Sequence, residues 1–180
     1  WMRALVLVAW MNPVIISGSV FKWLLSGESG VFNYLLMQIG IIQEPISFLT
    51  QPGVALFSVT AANIWIGIPF NMILLLAGMQ SLSPEIYEAA SIDGAGKVKS
   101  FFKITLPLLR PTISILLMMG IINSFKVFDL IYIMTSGGPA RSTQILPYYS
   151  YELSFQSYKY GEGAVVSVLI FAFVMIFAAV

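Results

Sequence analysis

From Pro45 to Pro84 the chain carries no charged residue, and its most apolar part runs from about Val54 to Met79. About 20 mostly apolar residues in one helix suffice to cross the hydrocarbon of a bilayer. Three further stretches have the same character: Ala4 to Phe21, extended by Trp23, Leu24 and Leu25; about Thr112 to Met134; and a run that begins near Gly163. The expected fold is therefore all-α and polytopic, with four spans in a single unit. Composition agrees, since only 9% of residues are charged and 58% are hydrophobic, against about 25% charged in a soluble domain.

What the chain lacks narrows the function. A net charge of +1 provides no basic stripe for a phosphate backbone, so nucleic acid is not an expected partner. Without histidine or cysteine there is no thiol or imidazole chemistry, no disulfide and no ordinary transition-metal site. No metal and no cofactor are expected, and an enzyme is a poor reading. The chain opens at Trp1 without a signal peptide's basic region and stops at Val180 inside an apolar run. Both ends read as cuts through a longer protein.

The connections orient the spans. The stretch 82–110 holds Lys97, Lys99, Lys103 and Arg110, whereas 26–52 holds Glu28 and Glu44 and no Lys or Arg. The positive-inside rule puts the first of these in the cytoplasm. The connections 26–52 and 135–160 then face outward, and the chain enters its first span beside Arg3. Lys22, Arg141 and Lys159 weigh against this orientation without reversing it. Trp23, Tyr34, Tyr148, Tyr149, Tyr151, Tyr158 and Tyr160 suit the outer headgroup level; ordinary packing in outer structure is the alternative for each.

The segment Ser83-Pro-Glu-Ile-Tyr-Glu-Ala-Ala-Ser-Ile-Asp-Gly94-Ala-Gly-Lys-Val-Lys-Ser-Phe-Phe-Lys-Ile-Thr-Leu-Pro107 reads as two short helices around a glycine turn. Ser83 suits an N-cap, Pro84 a first helical position, and Glu85 and Glu88 the dipole's positive end. Gly94 and Gly96 supply the turn. In the second helix Val98, Phe101, Phe102 and Thr105 share one face, and Lys99 and Lys103 the other. That is an amphipathic helix for the inner membrane surface, ended by Pro107. Gly94-Ala-Gly96-Lys97 is not a phosphate-binding loop. The glycine expected five residues before the Gly-Lys pair is Ser91, and the Ser or Thr expected after the lysine is Val98.

Glu88-Ala89-Ala90, Gly94, Ile104 and Leu106-Pro107, at this spacing, resemble the EAA loop of ABC importer permeases. The resemblance implies that 82–110 is the coupling loop, docking into a cleft on a cytoplasmic ATPase subunit. Its carriers would be Glu88, Ala89, Ala90, Asp93, Gly94, Ile104, Leu106 and Pro107. Small Ala89, Ala90 and Gly94 allow close approach, and Glu88 and Asp93 offer charge to Arg or Lys. Phe125-Lys-Val-Phe-Asp-Leu-Ile-Tyr-Ile-Met-Thr-Ser-Gly-Gly-Pro139-Ala-Arg-Ser-Thr143 resembles the carbohydrate-uptake branch, the maltose and glycerol-3-phosphate type. Ser136 replaces a glycine common there. The resemblance covers essentially the whole chain, aligned to the later two thirds of a six-span permease, and implies two further spans before Trp1. It also implies a second homologous permease subunit, two ATPase subunits, an extracytoplasmic solute-binding protein, a sugar substrate, and a place in the bacterial inner membrane.

Lys126 and Asp129 stand inside the third expected span. Two mid-helix charges cost roughly 2.5–3.5 kcal/mol each, about what the span's apolar residues return at roughly 0.3–0.6 each. An off-centre pair, joined at i, i+3 and turned to a polar interior, relieves the conflict. Asn123, Lys126, Asp129 and Tyr132 are the candidate sugar pathway; a structural ion pair near the outer interface is the other reading. Asn63 and Asn71 are lesser candidates. Gly137-Gly138-Pro139 is a turn, read either as a tight connection or as a docking point for the binding protein. Rival classes are an EAA-type importer for peptides, amino acids or anions, an ion-gradient symporter, and a membrane interaction protein.

Overall fold

A computed structural model describes residues 10–178. Every regular element among them is helical. In chain order these are α1 (Val14–Leu24), α2 (Val31–Gln38), α3 (Val54–Gln80), α4 (Pro84–Ile92), α5 (Lys97–Leu108), α6 (Arg110–Phe125), α7 (Asp129–Met134), α8 (Leu146–Tyr151) and α9 (Tyr160–Ala178). Two of them, α3 and α9, are long and apolar enough to cross a membrane, and the pair α5–α6 makes a third candidate bent by 64°.

Two expected spans change shape. The stretch Ala4–Phe21 begins outside the described residues, and its described part is interrupted at Asn12-Pro13, where α1 starts afresh. Proline lacks the N–H that would continue the preceding helix. The span Thr112–Met134 is not one helix. It stops at Phe125 and resumes at Asp129, and Val127 and Phe128 between them pack against the core. Further small differences lie in the hairpin: α5 runs on through Pro107 to Leu108, and Phe101–Thr105 within it is π-helical.

The core forms where the short helix α7 is enclosed. Leu130, Ile131 and Met134 pack with Val59 and Ala62 of α3 and with Tyr148 of α8, supported by Phe21 of α1 and by Ile145. Small residues set the spacing: a Cβ on Gly18 of α1 would sit 3.2 Å from Leu130 Cδ2, and Ala62 is wholly buried. At its other end α3 meets the start of α6 closely, since a Cβ on Gly78 would lie 2.8 Å from Thr112 Oγ1. Close approach through small side chains is how helices associate where no water is expelled.

The connection between α1 and α3 is more ordered than a plain loop. Asn33, 1% exposed, donates from Nδ2 to the carbonyls of Gly27 (2.6 Å) and Ile46 (2.9 Å) and accepts from Ile46 N–H (3.0 Å). Trp23, Tyr34, Tyr158 and Tyr160 are exposed, as a headgroup belt requires, but Tyr148 is buried in the core. The prediction that tests this core is Ala62→Leu. Overpacking costs about 1–3 kcal/mol, so the purified protein should lose thermal stability, and Ala61→Leu on the exposed side of the same helix should not.

Candidate functional site

The hairpin α4–α5 is held by local chemistry. Ser83 Oγ accepts from Glu85 N–H at 3.3 Å, and Pro84 stands at the first position of α4. At the far end Gly94 N–H donates to Ser91 O (3.1 Å) and Ala95 N–H to Ala90 O (2.9 Å), the paired bonds of a Schellman motif. Gly94 has φ +71° and nothing within 4 Å of where a Cβ would stand, so glycine is required for its backbone and not for space. Gly96 has φ −66° and merely precedes α5. Tyr87 Oη lies 2.8 Å from Thr105 Oγ1, joining α4 to the π-helical turn of α5.

This arrangement divides the candidate coupling residues. Glu88, Ala89, Asp93 and Gly94 lie on the exposed side, whereas Ala90 is buried against the hairpin itself. Ile104 is half-buried, and Leu106 and Pro107 are exposed near the bend into α6. Ile92, which sequence reasoning passed over, is 86% exposed. Its position, four residues after Glu88, was the available signal.

The second feature is the break between α6 and α7. Asn123, Lys126, Asp129 and Tyr132 are all exposed at or beside it. No ion pair joins Lys126 to Asp129; among the described residues the ion pairs are Arg141–Glu152 (3.7 Å) and Lys159–Glu162 (3.0 Å). With the helix interrupted between them, the two side chains no longer stand in i, i+3 register. The end of α6 meets α9 well along its length. Phe125 stacks on Phe173 (6.0 Å) and Phe177 (5.8 Å) of α9, and Phe173 lies about 20 Å along α9 from Tyr160 at 1.5 Å per residue. Of the lesser candidates, Asn63 is half-buried, and exposed Asn71 donates to Gly67 O at 2.8 Å.

Beyond α7 the Gly-Gly-Pro turn is tied down. Gly138 N–H donates to Thr135 O at 3.0 Å. Thr143, 1% exposed, donates from Oγ1 to Gly138 O at 2.7 Å and lies 2.7 Å from Thr135 Oγ1. Gly137 has φ +78°, and a Cβ there would come within 2.6 Å of Tyr148 Cε1. The Gly138–Pro139 bond is cis. Around the turn, Arg141, Gln144 and Glu152 border a polar pocket of about 200 Å³, in which Gln144 Nε2 donates to Glu152 Oε2. The Tyr151 hydroxyl is held above the ordinary phenol range, chiefly by the neighbouring Tyr132 hydroxyl and then by desolvation.

The model of the binding-protein-dependent transport system inner membrane component family matches residues 1–180. The chain belongs to that family. Relatives include the trehalose/maltose transport system permease protein MalF of Thermococcus litoralis, 38% identical over 99% of this chain and 60% of that protein. The sulfoquinovosyl glycerol transport system permease protein SmoG of Agrobacterium fabrum is 37% identical over 99% of this chain and 58% of its own length. The chain thus spans about three fifths of these curated relatives. Among solved structures, a bacterial alginate ABC transporter in complex with an alginate pentasaccharide-bound periplasmic protein superposes with a TM-score of 0.87 at 27% identity, over 98% of this chain and 61% of that one.

For an inner-membrane component, the exposed apolar side chains of α3 and α9, among them Phe57, Ile64, Val168 and Phe171, belong against lipid or neighbouring subunits. The turn after α7 then stands out as ordered structure between spans. Gly137→Ala should destabilise it by about 1–3 kcal/mol through its backbone and the Tyr148 ring. Gly27→Ala, with nothing within 4 Å of the new Cβ, should be near neutral. Thermal unfolding of the purified variants checks the difference.

Proposed function

We propose that the chain is the membrane-spanning permease subunit of an ATP-driven, binding-protein-dependent importer of carbohydrates. The observation that carries this reading is the α4–α5 hairpin, with Glu88, Ala89, Ile92 and Asp93 exposed around a capped glycine turn. An acidic rim around an apolar residue fits a cleft that offers Arg or Lys. The printed names of relatives, which concern trehalose/maltose, sulfoquinovosyl glycerol and diacetylchitobiose, support sugars as the cargo.

In this reading α1, α3, α6 continued by α7, and α9 belong to the four spans, and the 82–110 hairpin faces the cytoplasm. A second permease subunit pairs with this one, and two ATPase subunits hydrolyse ATP. A solute-binding protein docks outside at Gly137, Gly138 and Pro139. Cargo passes Asn123, Lys126, Asp129 and Tyr132 at the break in the third span. The hairpin transmits only the free energy by which the ATPase prefers one of its states.

Two measurements test the parts separately. Glu88→Lys reverses a charge facing the ATPase, and Gly94→Asp strains the turn. Each should lower uptake by the assembled importer about tenfold or more, the size of a lost charge-assisted bond, while its ATPase activity continues. Normal uptake in both removes the coupling role. Asn123→Ala and Asp129→Ala should lower uptake with assembly intact, and unchanged transport kinetics in both would take them out of the pathway.

A further inference from the structure

Above the break, a cleft of about 470 Å³ opens between α8, the π-helical turn Glu152–Gln156 that continues it, and the first turns of α9. Its volume is in the roughly 300–1,000 Å³ range of small-molecule sites. Its walls are aromatic: Phe128, Tyr151, Phe155 and Tyr160. All of these rings but Tyr160 belong to a continuous ladder. Tyr132 meets Tyr151 edge to face at 5.6 Å, Phe128 lies 5.1 Å from Tyr151, and Tyr151 lies 5.5 Å from Phe155. The ladder runs from the segment that carries Asp129 toward the Tyr160 end of α9.

Three serines complete the lining. The hydroxyls of Ser150 and Ser167 converge on the Gly163 carbonyl, at 3.0 and 3.1 Å, and lie 2.8 Å from each other. Each serine oxygen has two lone pairs, and these contacts leave acceptor capacity toward the cleft. Ser154 also lines the cleft, its Oγ close against Gly163. No charged side chain lines the cleft.

We propose that this cleft is a second, outer subsite that binds one ring of a neutral saccharide on its way to the break. The proposal rests on the carbohydrate reading above and deepens it. Ring faces accept the apolar side of a pyranose, and serine and tyrosine hydroxyls exchange hydrogen bonds with its rim. The uncharged lining selects against acidic sugars, because a buried carboxylate or sulfonate would find no cation to pair with. Phe155 is 65% exposed, so its ring is not needed to fill the core and is available to stack on a ligand.

The test uses the whole importer, with its partner permease, ATPase subunits and binding protein, in proteoliposomes. Uptake of labelled maltose, trehalose and diacetylchitobiose is compared with uptake of alginate oligosaccharides. The expected result is uptake of at least one neutral sugar, with KM raised about three- to tenfold in Phe155→Ala and Tyr151→Ala, the size of one lost ring stacking. Tyr151→Phe, which keeps the ring and loses only the hydroxyl, should raise KM less than Tyr151→Ala does. Should Tyr151→Ala fail to assemble, Phe155→Ala alone decides. Neutral-sugar uptake indifferent to Phe155→Ala sinks the subsite and leaves the carbohydrate reading standing. Uptake of acidic oligosaccharides alone overturns the neutral lining argument, and uptake of no saccharide overturns both.

Discussion

The burial of α7 governs the rest of the molecule. Leu130, Ile131 and Met134 are each 2% exposed, and to reach that position the chain must leave the axis of α6 at Phe125. In a bilayer apolar side chains gain little by leaving lipid, so van der Waals fit and close approach must hold such a helix in place. Gly18 and Ala62 supply the approach, and Tyr148 closes the third side. The consequence is that Asn123, Lys126 and Asp129 stand at a helix break instead of along a helix flank. Backbone that departs from a helix at membrane depth is tolerated where it is buried in protein or lines a water-filled path.

The hairpin was legible residue by residue because its determinants are local. A serine before Pro84, acids in the first turn and a glycine where φ must be positive each name one hydrogen bond or one backbone angle, and all appear in the structure. The family signature sits on the same residues. What could not be read was which of two adjacent alanines turns inward. Ala89 and Ala90 are chemically alike, and only the Tyr87–Thr105 contact and the packing of α5 beneath decide that Ala90 is the buried one.

The third span was misjudged for the opposite reason. Hydropathy averages over a window, and the twelve Leu, Ile, Phe and Val residues of 112–134 mask a break set by distant partners: Phe173 and Phe177 on one side, Tyr148 and Tyr151 on the other. Asn123, Lys126 and Asp129 marked the place as polar without revealing that the helix ends there. The same holds for Tyr148 and Asn33, whose side chains suit both an interface and a buried hydrogen-bonded site. Tyrosine carries an apolar ring and a polar tip, so composition cannot choose between belt and core.

The hairpin and the break are joined by one run of helix, α5 and α6. Tyr87 holds α4 to α5 through Thr105, and α5 bends by 64° into α6. From there α6 runs 16 residues to Phe125, about 24 Å of helix. Leu109 at the bend is 5% exposed, and Gly78 of α3 allows close contact with Thr112 just beyond. In the proposed coupling role, a displacement of α4 passes through the Tyr87–Thr105 contact and the packed bend into α6. Its far end is gripped by the Phe173 and Phe177 rings of α9, and the next residues are Lys126 and the turn into α7. Because packed helices shift between discrete arrangements and do not deform smoothly, in the proposed transport role the polar break is where such a displacement changes what Asn123, Lys126 and Asp129 face.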